Sequence, residues 1–165
     1  MKSQGIGMRI LISGSSGFIG SVLVPQLAAD GHRITRLVRS ESPAGAGTVR
    51  WDPEAGRLNP ADLEGLGAVV HLAGESIVGR WTAQKKARIR DSRVNGTRLL
   101  CEALATLANP PRVVVCASAI GYYGDRGEEP LHEGSSPGTG FLADVCRSWE
   151  GASEPAASRG VRVVN

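Results

Sequence analysis

The stretch Met8 to Gly20, MRILISGSSGFIG, constrains the fold of this chain more than any other. It reads as an apolar strand, a turn carrying Gly14, Gly17 and Gly20, and an apolar helix from Phe18 to Ala29. In that order these parts build the phosphate-binding corner of a dinucleotide fold, where each glycine has a separate task. Gly14 allows the tight turn out of the strand, Gly17 lets backbone approach a pyrophosphate, and Gly20 lets the helix lie close to the strand. The helix start, at Phe18 and Ile19, offers free N–H groups and a partial positive charge to the phosphates. Ser15 and Ser16 add hydroxyl donors. No Lys-Ser/Thr pair follows the glycines, which excludes a P-loop.

Beyond this corner, strand and helix patterns alternate. Arg33 to Val38 is a second strand, and Thr48 to Trp51 a short third one closed by Asp52-Pro53. Pro60 to Leu66 has the spacing of a short helix. Ala68 to Ala73 (AVVHLA), between Gly67 and Gly74, is the near-continuous apolar run of a central parallel strand. Thr82 caps a long helix to about Leu107, with Val94, Thr97, Leu100, Cys101 and Leu104 on one face, and Pro110-Pro111 stop it. Val113 to Ala117 is a strand, Gly121 to Gly138 a loop, Phe141 to about Ser158 a helix, and a last strand begins at Val161. This alternation predicts an α/β fold: a doubly wound parallel sheet in three layers with right-handed crossovers. Ligands then lie at the carboxyl ends of the strands, here Gly14, Arg39, Asp52, Gly74 and Ala119. Since the chain stops within the last strand, the expectation is a flexible leader over 1–7 and a dinucleotide-binding domain over 8–165, truncated before a C-terminal substrate region.

The 165 residues fit one domain with a substantial core. A net charge of +3 spread along the chain argues against a nucleic-acid partner. Cys101, Cys116 and Cys146 lack metal spacing and read as buried free thiols of a cytoplasmic protein; no metal site is expected. No apolar run reaches membrane-spanning length, so no membrane partner is expected either. Asp125, Glu128, Glu129 and Glu133 form an acidic loop, read as a solvated lid near substrate.

The runs GSSGFIG, HLAGESI, RWT, Ser92 to Thr97, ASAIGYYG and GFLADVCRSWE resemble the atypical and extended short-chain dehydrogenase/reductases. Within these the chain is similar to the nucleoside-diphosphate-sugar epimerase-like proteins of the NAD-dependent epimerase/dehydratase family, YfcH/SDR39U1 type. The likeness runs in order from Met8 to Asn165. It implies a Rossmann-like domain binding NADP(H), a C-terminal substrate region, and Asn95 as the residue that props the active-site strand. The substrate is not implied, and a homodimer through the two long helices is one arrangement such relatives adopt.

Cofactor choice is read at the end of the second strand. NAD enzymes place an acid there to accept the ribose 2′-hydroxyl. This chain has Arg39 and Ser40 instead, and a guanidinium grips a 2′-phosphate that an acid would repel. NADP(H) is therefore favoured over NAD(H). Asp52 either flanks the adenine or forms the turn before Pro53. Leu72, Ala73 and Gly74 lie along the ribose and pyrophosphate, and Glu75 either accepts ribose hydroxyls or pairs with Arg80. His71 alternates into the core and reads as a partner-bonded histidine, while Trp81 and Trp149 read as packing anchors, Trp149 facing the sheet.

The superfamily's Tyr-x-x-x-Lys pair, in which the ammonium lowers the tyrosine pKa, is impossible here. The tyrosines are Tyr122 and Tyr123, and no lysine follows Lys86. The matching helix offers Phe141/Val145 or Leu142/Cys146, and the strand-end hydroxyl slot falls at Ala119 with Ser118 before it. Two readings follow. In one, an oxidoreductase or epimerase uses Tyr122 or Tyr123 as acid with Ser118 as hydrogen-bonding partner, which favours reduction. In the other, the fold binds NADP(H) without hydride chemistry, as a sensor or interaction module.

Overall fold

The computed structural model describes residues 7–39 and 47–165. Ser40 and all of the expected leader but Gly7 lie outside them. In chain order the elements are β1 (Arg9–Ser13), α1 (Phe18–Ala29), β2 (Arg33–Arg39), β3 (Thr48–Asp52), β4 (Arg57–Leu58), β5 (Ala68–His71), α2 (Ala83–Ala105), β6 (Val113–Cys116), α3 (Phe141–Gly151), α4 (Glu154–Ala157) and β7 (Arg162–Val164). Short 3-10 turns cover Pro60–Leu63 and Ile120–Tyr123.

The sheet runs β4-β3-β2-β1-β5-β6-β7, parallel except for the β3–β4 hairpin. β1 is central, paired with β2 on one side and β5 on the other, so the strand order reverses between β1 and β5. Strand periodicity separates two cores. Leu11, Leu37, Val69 and Val114 join Leu100 and Leu104 of α2 and Ala156 of α4 on one face. Ile10, Ile12 and Ala68 meet Val24 of α1 on the other. This is the expected Rossmann-like three-layer arrangement. Among the described residues no helix is long and apolar enough to cross a membrane.

Thr82 caps α2, its hydroxyl accepting from the Lys85 amide at 3.2 Å. Thr82→Ala is expected to cost about 1 kcal/mol, or about 2–4 °C in Tm, read from thermal melts.

Three elements differ from the expectation. The helix expected over Phe141 to Ser158 breaks into α3 and α4, because Pro155 has no N–H to continue the ladder and starts a new helix instead. The strand expected to Ala73 ends at His71, since the next two amides turn to the Ser13 side chain. The two-residue β4 is too short to show a period. Its hairpin closes where Asp52 accepts from the Ala55 amide and Arg57.

Candidate dinucleotide site

A cleft of about 700 Å³ opens at the carboxyl ends of β1, β2, β3 and β5, where the strand order reverses. That size suits a cofactor. Gly14 to Gly17 line it at the base of α1, Arg39 ends β2 beside it, and Trp51, Pro53 and Glu54 come from the end of β3. Leu72 to Glu75 follow β5.

The glycines are needed for separate reasons. Gly14 has φ +66°, and a Cβ there would lie 2.8 Å from the Leu72 carbonyl carbon. A Cβ on Gly20 would lie 2.3 Å from the Gly14 carbonyl oxygen, so only glycine lets α1 sit this close to the turn. Gly17 caps α1 with no side-chain hydrogen bond, and no acid stands in the first turn. The first amides of α1 are thereby left to an anion. The glycine corner, the cleft and the uncapped helix together fit a dinucleotide pyrophosphate. Phe18 and Ile19, the first residues of α1, are 94% and 61% exposed and are not among the residues lining the cleft.

The other expected site residues separate into those the fold brings to the cleft and those it engages elsewhere. Leu72, Ala73 and Gly74 line it, with Gly74 held against the Arg93 guanidinium, where a Cβ would come within 3.2 Å of Cζ. Arg93 donates to the carbonyls of Glu75 and Ile89 and lies over the Trp149 ring at 5.1 Å. Glu75 does not pair with Arg80. Its carboxylate takes Lys85 at 2.6 Å and lies 3.7 Å from Arg88, because α2 passes beside the loop. The Lys85 hydrogen bond holds the Glu75 carboxyl below its ordinary pKa. Asp52 stands between two cleft residues, but its carboxylate is engaged by Arg57 at 2.7 Å and the Ala55 amide at 3.0 Å, the turn-forming alternative.

Asn95 lines the cleft from α2, together with Arg88, Asp91 and Ser92. Sequence reasoning missed these last three, although 88, 92 and 95 share one face of a helix at i, i+4 and i+7. Trp149 packs on α2, donating to the Thr97 hydroxyl at 3.0 Å. Trp81 meets the Phe141 ring edge-on at 5.7 Å.

Ser118, Tyr122 and Tyr123 follow β6 and are not among the residues lining the cleft. Tyr122 and Tyr123 are half-buried and meet edge-to-face at 5.2 Å. Ser118 is bonded to neither, but donates to the Glu150 carboxylate on α3, a partner that no sequence spacing announced. The long loop after them is tied back where the Gly138 amide donates to the Tyr122 carbonyl at 2.9 Å.

Fold and cleft together define a Rossmann-like α/β domain with a nucleotide corner. The comparisons narrow that class: residues 10–141 match the NAD dependent epimerase/dehydratase family, and the chain belongs to it. It is 42% identical over 156 residues to the epimerase family protein Mb2239 of Mycobacterium bovis, covering 94% of this chain and 51% of that protein. A nucleoside-diphosphate sugar epimerase structure from Corynebacterium glutamicum is 38% identical with a TM-score of 0.82, covering 96% of this chain and 33% of that one. Human epimerase family protein SDR39U1, solved with NADPH, is 31% identical with a TM-score of 0.75, covering 88% and 48%. The chain spans about half the length of the curated relatives it matches.

Proposed function

We propose that residues 8–165 form the NADP(H)-binding part of an epimerase-like oxidoreductase acting on a nucleoside-diphosphate-sugar-like substrate. The observation that carries the cofactor choice is Arg39, at the end of β2 and on the cleft, where an acid would select NAD(H). NADPH in the human relative supports it. Gly14 and Gly17, with Ser15 and Ser16 beside them, receive the pyrophosphate, and Leu72 to Gly74 give backbone room along it. The nicotinamide, when bound, supplies or accepts the hydride. Ser118, Tyr122 and Tyr123 then hold or donate the proton at the substrate oxygen.

The absence of Tyr-x-x-x-Lys favours a second reading, a protein that binds NADP(H) without turning it over. Titrating the full-length protein with NADPH and NADH by calorimetry tests the shared step. Arg39→Ala is expected to weaken NADPH roughly 10- to 100-fold and to leave NADH unchanged. Equal binding of both nucleotides by the wild type, unaltered in the variant, would remove Arg39 from the argument. Following NADPH absorbance with nucleoside-diphosphate 4-keto sugars separates the two readings: oxidation supports the enzyme, and binding without oxidation supports the sensor.

A further inference from the structure

We infer that His71 is a positioning residue of the cleft, acting through Ser13 on the backbone of Leu72 and Ala73. The inference rests on reading the cleft as a dinucleotide site.

Ser13 and His71 are the last residues of β1 and β5, paired in register and both fully buried. The Ser13 hydroxyl accepts from the Leu72 amide at 3.0 Å and from the Ala73 amide at 3.1 Å. The Leu72 amide also reaches the Ser13 carbonyl at 3.3 Å. A hydroxyl has two acceptor sites and one proton. With both acceptor sites filled, the proton goes to His71 Nδ1, 2.6 Å away. The imidazole is then neutral and carries its own hydrogen on Nε2, a buried atom with no hydrogen-bond partner among the described residues.

A buried donor without a partner is costly, and an apolar side chain of similar size would avoid it. What His71 supplies is its other nitrogen. By taking the Ser13 proton it fixes the hydroxyl's lone pairs on the two amides, which draws Leu72 and Ala73 under Gly14. A Cβ on Gly14 would lie 2.8 Å from Leu72 C and 3.0 Å from Ala73 N, so the two loops that line the cleft are set to tenths of an ångström. The histidine thus sets the cleft's shape from beneath without lining it.

The test begins with the wild-type full-length protein. Imidazole ¹⁵N shifts of His71 at pH 7 should show a neutral ring protonated on Nε2; a charged ring, or one protonated on Nδ1, overturns the inference. Hydrogen exchange then compares His71→Leu, which lacks an acceptor, with His71→Asn, whose carboxamide oxygen stands where Nδ1 was. The Leu72 and Ala73 amides should exchange about tenfold faster in His71→Leu while Val69 and Val70 stay close to wild type, and NADPH should bind about tenfold more weakly. His71→Asn should stay within about threefold of wild type in both readouts. Adding His71→Leu to Ser13→Ala should cost nothing further, since the two act as one unit. Wild-type exchange at 72 and 73 in His71→Leu, or equal losses in both His71 variants, overturns the inference. A wild type that binds no NADPH removes the cofactor reading, while ring shifts and exchange still decide the clamp.

Discussion

Gly20→Ala is expected to lower the Tm by roughly 6–12 °C and to weaken NADPH binding about 100-fold or more. The added methyl carbon would lie 2.3 Å from the Gly14 carbonyl oxygen and 2.7 Å from Ser15 Cα. Both are backbone atoms of the turn and cannot rotate aside. Either α1 lifts off β1 or the turn moves, and overpacking of this kind costs about 3 kcal/mol. The affinity falls further because the displaced turn is what receives the pyrophosphate. Gly17→Ala is the informative control: its Cβ would stand 3.2 Å from the same oxygen, a contact that yields with a small shift. It should leave the Tm near wild type and affect mainly the nucleotide. Thermal melts and calorimetric titrations read both quantities, and a Gly20→Ala protein as stable as Gly17→Ala would refute the close-packing argument.

The second large effect is a loss of stability in mild acid. Burial lowers the His71 pKa from 6.5 to about 4. The unfolded chain therefore takes up the proton first as the pH falls, while the folded protein holds the ring neutral. The contribution is fully present above pH 6.5 and is withdrawn progressively down to about pH 4, a difference of roughly 3 kcal/mol. Glu75 and Asp52, whose basic partners lower their carboxyl pKa values from 4.5 and 3.8, add their own losses only as the pH falls below those values, mainly beneath that window. Denaturant midpoints measured from pH 7.5 to 4.5 should hold nearly level to about pH 6.5 in the wild type and fall below it. In His71→Asn the same span should be nearly flat down to about pH 5. A wild-type midpoint that does not move across this span would count against a buried neutral imidazole.

The parts of the fold legible in the sequence are those where a single physical rule decides. Apolar runs bounded by glycine gave β1 and β5, and a hydroxyl ahead of a periodic stretch gave the start of α2. The glycine corner was readable because close backbone approach leaves no other residue. What could not be read were contacts between segments far apart in the chain. Glu75 chose Lys85 and Arg88 over Arg80 because α2 runs alongside it, and that is tertiary geometry. Ser118 meeting Glu150, 32 residues on, is the same kind of fact. The division of the last helical stretch is readable in principle, because Pro155 has no N–H to continue the ladder and favours the first turn of a new helix.

The place of β1 in the sheet bears on how the chain is made. β1 precedes both of its neighbours in sequence, yet it lies between them, and Ser13 stands 58 residues before His71. At ribosomal rates of about 5–20 residues per second, the second edge of β1 waits roughly 3–12 s for its partner to be synthesised. During that interval β1, with Ile10, Leu11 and Ile12, has an open flank. Chaperones that hold nascent chains would find in it a natural client segment.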